Sequence, residues 1–438
     1  MNNFMKKVLF ALVLFTACLA KAQNVLTLQT AINTALKNNF DIQLAKNNVE
    51  INNILNNYGV AGGLPYVAGS ASDVEQLSSL NQKFSTGDSS RTVKASNVAS
   101  NSLNLGVSAN MLLYNGMRVV STKKRLEQIQ LQSEQVLNSQ LQNTIAEVMT
   151  RYYDVVRQQS YSKTLELSIQ VSKLRLQILQ TRQAAGLANN ADIFQAQIDL
   201  NQLEQQLETQ QLTIDVAKTE LLRLMILNPS SKIEIKDTIL VDKAILLDSV
   251  LTSLTTNPDI IAADQQVKIN ELVAKETAAQ RYPSVSVNAG YTYGRSQNAA
   301  GQLLLNQRYG PQAGVTVAIP IYSGSALRRQ QKVAETETKN ASLQKESLIN
   351  DYNANAVKTY QAYENTLNQL EKEKKNYALT ADLVKLVLQK FELRQATIID
   401  LREAQQSFEE SGYRLVNLSY VAKAAEIELK RVSNQLSF

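Results

Sequence analysis

The chain repeats itself. Asn39-Phe40-Asp41-Ile42 recurs as Asn257-Pro258-Asp259-Ile260, and at the same spacing Leu64-Pro65-Tyr66-Val67 recurs loosely as Tyr282-Pro283-Ser284-Val285. Leu113-Tyr114-Asn115-Gly116 returns as Ile321-Tyr322-Ser323-Gly324. Asp192-Ile193-Phe194-Gln195-Ala196-Gln197 returns as Asp400-Leu401-Arg402-Glu403-Ala404-Gln405. The order is the same both times, which reads as duplication of a unit of roughly 200 residues. The chain then divides into a leader (1–22), a first repeat (23–227), a connector (228–244) and a second repeat (245–438).

Within each repeat the hydrophobic period changes from helix to strand and back. Initial helices are expected over 28–60 and 245–280. Alternation follows at Leu103, Leu105, Val107, Ala109, Met111 and Leu113, and at Val285, Val287, Ala289, Tyr291 and Tyr293. The last strand alternates Ala313, Val315, Val317, Ile319 and Ile321; the first, near Tyr66, is weak and rich in Gly and Ala. Strands are thus expected near 65–73, 102–114, 283–295 and 310–322, with 74–102 and 296–308 as exposed loops.

Long helices are expected over 116–185 and 324–394, each about 105 Å at 1.5 Å per residue. A shorter helix follows each. Ile193, Ala196, Leu200, Leu203, Leu207, Gln210, Ile214, Ala217, Leu221 and Leu224 are spaced alternately three and four apart. So are Leu401, Ala404, Phe408, Ser411, Leu415, Leu418, Ala422, Ala425, Leu429 and Val432, and a run from Ala356 to Phe391. A seam of period 3.5 is coiled-coil packing. A second stripe, Leu379, Leu383 and Leu386, asks for a neighbour on the other side, as in a wall of helices; incidental surface leucines are the plainer alternative.

Composition removes most chemistry. There is no His and one Cys among 438 residues, so His-based triads, most catalytic zinc sites and thiolate cages are excluded. No Gly-rich phosphate loop or paired-carboxylate cleft appears, and neither an enzyme nor a bound cofactor or metal is expected. Lys6, Lys7, the apolar run 8–20 and Ala20-Lys21-Ala22 form a secretory leader. Leu14-Phe15-Thr16-Ala17-Cys18 loosely offers a lipoprotein alternative, in which Cys18 is lipidated. Cleavage after Ala22 takes three lysines from a net charge of +6 and leaves +3, a poor footprint for nucleic acid.

No later stretch is apolar enough for a spanning helix. Four strands with one apolar face cannot stand open in lipid, because unpaired edges leave backbone groups unsatisfied. Closed barrels begin at about eight strands, so a dimer or a trimer is required, and only the wider ring leaves a lumen for a large solute. The alternative is a soluble β-layer capping a bundle.

The ordering of leader, half-length helix, hairpin, Leu/Ile-Tyr-x-Gly, long helix, turn and Asp-x-x-x-Ala-Gln heptads, twice over, resembles the TolC-type outer membrane efflux protein family. The resemblance spans the mature chain. It implies a mainly α fold with a small β part: a homotrimer whose 12-stranded outer-membrane β-barrel, set in outer-membrane lipid, continues as a periplasmic α-helical barrel. It further implies a passive exit duct of tripartite efflux or type I secretion. The partners would be a periplasmic adaptor and an inner-membrane transporter, and the cargo drugs, metals or proteins. The rival reading is a soluble periplasmic coiled-coil adaptor.

The resemblance also places a gate at the turns 186–192 and 394–400. Asp400 and Glu403 fall where the family's constricting acids lie, Asp192 in the matching turn, and Phe391 where a closed-state aromatic often lies. Arg394 stands in place of the usual glycine, and Ala396 in place of an arginine that ties the closed state. Capping is a competing role for the acids: Thr397 with Asp400, and Asn189 with Asp192, have capping-box spacing. Gly186 would close the first turn. Tyr114 and Tyr322 are candidates for an interfacial aromatic belt or for ordinary packing. Gly116 and Gly324 would supply backbone freedom at the strand–helix corners.

Overall fold

The computed structural model describes residues 25–301 and 303–436, so the leader and Cys18 lie outside the described residues. The elements are α1 (Leu28–Asn38), α2 (Phe40–Leu55), β1 (Tyr66–Thr86), β2 (Ser89–Asn115), α3 (Arg118–Ala184) and α4 (Asn190–Leu224). There follow α5 (Leu247–Ser253), α6 (Pro258–Ala279), β3 (Ser284–Asn298), β4 (Leu305–Ala318), α7 (Ala326–Glu392) and α8 (Ile398–Val432). Both long helices have 67 residues and both following helices 35. The chain forms two compact units. One takes residues up to Lys46, Gln135–Ile261 and Ser347 onward; the other takes Asn47–Glu134 and Ala262–Glu346.

In the first unit the heptad seams are the core. Ala196, Leu200, Leu203, Ile214 and Leu221 of α4 are buried, as are Leu401, Ala404, Phe408, Leu429 and Val432 of α8. On α7, Ala356, Tyr363, Leu370, Val384 and Phe391 are buried, while Leu379, Leu383 and Leu386 of the second stripe are exposed. Leu200 and Leu203 pack on Ile169 of α3. Phe408 stacks on Tyr377 of α7 at 5.1 Å, and Gln405 Nε2 donates to Ser168 O and Ser172 Oγ of α3. Helix α8 therefore lies between α3 and α7, with α4 on the other side of α3. A Cβ at Gly412 would come within 2.5 Å of Thr164 Cγ2, so α3 and α8 approach closely there. The connector docks onto these helices: Asp242 N donates to Glu426 Oε2 at 2.9 Å, and Lys430 Nζ bridges Glu426 and Asp242 at 3.0 Å each.

The initial helices are each broken where the sequence suggested one run. Asn39 Oδ1 accepts from Asp41 N at 2.9 Å, and Asn257 Oδ1 from Asp259 N at 2.9 Å. An Asn that satisfies the free N–H groups of a new helix stops the old one, and Pro258 fits the first turn of the next. The first helix also ends at Leu55 rather than near 60.

In the second unit β1–β2–β3–β4 form one antiparallel sheet in chain order. The expected loops are shorter than the sequence suggested. β1 runs to Thr86 and β2 starts at Ser89, so most of 74–102 is a paired ribbon around Gly87-Asp88, with φ +66° at Gly87. β3 runs to Asn298 and β4 begins at Leu305, while β4 stops at Ala318 and leaves 319–322 outside the sheet. Register puts Gly69, Val107, Tyr291 and Pro311 in one row and Ala71, Leu105, Tyr293 and Tyr309 in the next. Directly opposed residues share a face. One face is therefore apolar, and the other carries Ser70, Ser102, Asn104, Asn288, Thr292 and Thr316. The apolar face is uncovered: Leu105, Val107, Tyr291 and Val315 are all exposed. Among the described residues β1 and β4 each keep one edge without a strand partner.

Candidate functional site

The α3–α4 turn closes on Gly186 at φ +72°, with Leu187 N donating to Arg182 O at 2.8 Å. The α7–α8 turn has the same form. Arg394 sits at φ +62° and Gln395 N donates to Lys390 O at 2.8 Å. This is the left-handed stop that normally selects glycine, so Arg394 holds at some cost what Gly186 holds freely.

Each turn then caps its next helix. Asn189 Oδ1 accepts from Asp192 N at 2.8 Å. Thr397 Oγ1 accepts from Asp400 N at 3.1 Å while Asp400 Oδ2 accepts from Thr397 N at 2.8 Å, a reciprocal capping box. The Thr397 backbone N–H, followed by its hydroxyl, holds the Asp400 carboxyl below the usual carboxylate range. Asp400 and Glu403 are both exposed, whereas Leu401 and Ala404 beside them are buried. Three residues apart, the two acids share the helix face turned away from the core. Asp192 is half-buried on α4.

Phe391 is 2% exposed and packs with Leu179, Ala196 and Leu401, so all four helices meet around it. Ala396 and Ile398 fill the same cluster. Arg182, which sequence reasoning missed, ties α3 to α7: its guanidinium donates to the Phe391 carbonyl and lies 4.5 Å from the centre of the Phe391 ring. The only sequence signal was a cation in the last turn of a helix, where it also suits the dipole.

A second missed group lies nearby. Arg175 is 1% exposed and pairs with Asp199 of α4 at 2.9 Å, leaving Nε and Nη1 without partners. Burial lowers its pKa, and the Asp199 carboxylate works against that. Glu409 of α8 is raised by burial, with the Arg175 charge opposing.

At the corners, Gly116 and Met117 have φ of +68° and +67°, and Gly324 and Ser325 have +61° and +64°. A Cβ at Gly116 would fall 2.7 Å from Ala279 O; at Gly324 nothing lies within 4 Å. A bulge between Leu112 and Tyr114 puts Tyr114 opposite Val285, hence on the apolar face. Tyr114 and Tyr322 are both exposed.

A model of the outer membrane efflux protein family matches residues 31–225 and, again, 251–435. The chain belongs to that family. Among solved structures it is similar in fold to the outer membrane protein VceC from Vibrio cholerae, at 17% identity and a TM-score of 0.75, covering 93% of this chain and 95% of that one. The Campylobacter jejuni CmeC outer membrane channel gives 16% and 0.75, over 94% and 87%. The open state of the Neisseria gonorrhoeae MtrE outer membrane channel gives 18% and 0.69, over 93% and 88%. No protein of curated function matches the chain by sequence. The protein is accordingly an outer-membrane channel that extends into the periplasm, the exit duct of a tripartite efflux system, and not an enzyme. Such a system implies a periplasmic adaptor and an inner-membrane transporter.

Proposed function

We propose that three copies of this chain close their sheets into a 12-stranded barrel in outer-membrane lipid, continued by a helical barrel whose tips, 186–192 and 394–400, gate a passive conduit. The observation that carries this reading is the sheet, which among the described residues has an uncovered apolar face and two unpaired edges. From Val285 to Tyr293 the apolar face runs about 27 Å along the strand at ~3.4 Å per residue. Tilted by roughly 35–45°, that is about 20 Å of height, near the ~25 Å apolar band of such barrels. Tyr291, Tyr293 and Tyr309 mark one end of the band, and Tyr114, Tyr282 and Tyr322 the other, as interfacial aromatic girdles do. A soluble adaptor has no use for such a face.

The two family matches and the equal lengths of the paired helices support the tandem duplication, divided at 23–227, 228–244 and 245–438 after a leader 1–22. The exposed stripe of Leu379, Leu383 and Leu386 supplies a contact for a neighbouring copy. Copies of Asp400 and Glu403 would ring the tip with acids, with Asp400 also capping its helix, and Arg182 would brace the closed form in place of the arginine absent at Ala396. The test is planar-bilayer recording. Discrete cation-preferring steps are expected, and the double variant Asp400→Ala, Glu403→Ala should lose the preference. An unchanged permeability ratio removes the acidic constriction, and an absence of any conductance removes the conduit.

A further inference from the structure

We propose that the barrel carries a second constriction at the far end of the β1–β2 ribbon, an apolar collar built from that ribbon and roofed by residues 299–301, which follow β3. This inference rests on the trimeric barrel reading. Beyond the apolar band the ribbon continues for more than ten residue pairs, to Thr86 and Ser89. Along β1 its two faces differ sharply. Ser78, Leu80, Gln82 and Phe84 are half-buried, whereas Ser79, Asn81, Lys83 and Ser85 are exposed. On β2, Val93 and Ala95 are half-buried and Val98 is 6% exposed, between exposed Thr92, Lys94 and Asn97.

The covered face is the one that continues Ser70, Ser102 and Asn104, the side of the sheet opposite the lipid-facing rows. The bulge at Ser78/Leu80 inserts its extra residue on β2, where Asn97 turns to φ +57°, so β1 keeps its parity and Leu80 stays on the inner side. At Leu80 and Gln82 the cover comes from the other hairpin. Ala299 N donates to Ala99 O at 2.9 Å. Further on, a Cβ built on Gly301 would meet Gln82 Oε1 at 3.2 Å and Leu80 Cδ2 at 3.4 Å. Strand β2 lies between β3 and β1, so a loop from β3 reaches Leu80 only by crossing the inner face of β2. Both hairpins therefore lean to the lumen side, and the lining changes there from Ser and Asn to Leu80, Phe84, Val93, Ala95 and Val98, interrupted by Gln82 and, opposite Phe84 at the rim, Arg91. A ring of three such clusters is an apolar constriction, the kind of element that gates pores by dewetting.

The experiment is symmetry cross-linking in the full chain extracted from outer membranes. Cys18 is the only cysteine of the sequence, so the unsubstituted chain serves as the blank. Phe84→Cys, on the inner side, and Lys83→Cys, on the outer, are each treated with a short bismaleimide. Covalent dimers and trimers are expected from Phe84→Cys, and monomer alone from Lys83→Cys. If Phe84→Cys stays monomeric on the gel in a preparation that native mass spectrometry shows to be trimeric, or if both positions link equally, the collar is overturned while the barrel stands. A preparation that is monomeric in the native measurement overturns both.

Discussion

At the residue scale, Gly116 and Gly324 occupy corresponding corners with nearly the same φ but different surroundings. A left-handed L-residue costs roughly 1–2 kcal/mol. Gly324→Ala should therefore cost about 1 kcal/mol in thermal unfolding of the detergent-solubilised protein. Gly116→Ala should cost at least twice as much, because its Cβ would press on the Ala279 carbonyl; equal losses would show that the corner yields. Glu409 gives a pH test. Its folded pKa is raised by burial, so its contribution favours the fold below the unfolded pKa and is lost as pH rises through the folded value. Glu409→Gln should raise the unfolding temperature at neutral pH and leave it nearly unchanged near pH 4. A shift of the same size at both pH values would assign the effect to packing instead. Arg182→Ala should increase the open fraction in bilayer recordings, with Arg182→Lys intermediate, since lysine keeps a donor but loses the planar contact with Phe391. Equal open fractions in all three would leave Arg182 a packing residue. Neither Arg182 nor Arg175 was legible in the sequence, because both are single cations in polar helical stretches whose meaning depends on which helix lies opposite.

The elements themselves were mostly legible, and the exceptions have physical causes. Heptad spacing located α4, α7 and α8 because a buried seam must repeat every 3.5 residues, and the buried sets follow it closely. The apolar parts of β2 and β3 were legible because every second side chain on one face is apolar. The ribbon from 74 to 98 was not: it lies beyond the band, its backbone pairs without needing alternation, and its Ser, Asn and Lys residues read as loop. The one-residue bulge before Tyr114 escaped notice for the same reason, since nothing in the side chains announces a register shift. Helix packing gives a paired prediction. Phe408→Ala, which empties a buried stack on Tyr377, should cost about 3–5 kcal/mol. Leu383→Ala, on the exposed second stripe, should leave the fold of the single chain unaffected and lower the temperature at which the oligomer dissociates. A stable oligomer in Leu383→Ala would remove that stripe from the contact between copies.

On the scale of the whole molecule, family membership fixes the outer-membrane duct, and the sheet states what one chain lacks. The helical seams satisfy themselves within the chain, whereas among the described residues the β-part ends on two open edges with its apolar side bare. In water such a surface invites aggregation, and in lipid an open edge strands backbone donors and acceptors. The proposed completion by identical copies would resolve both at once and orient the polar face around a lumen. The most direct measurement is the native mass of the protein extracted from outer membranes in mild detergent. Three chains per particle, each of 48.6 kDa less the leader, are predicted, with no protein released by washing without detergent. A monomer recovered in the aqueous wash would contradict the account.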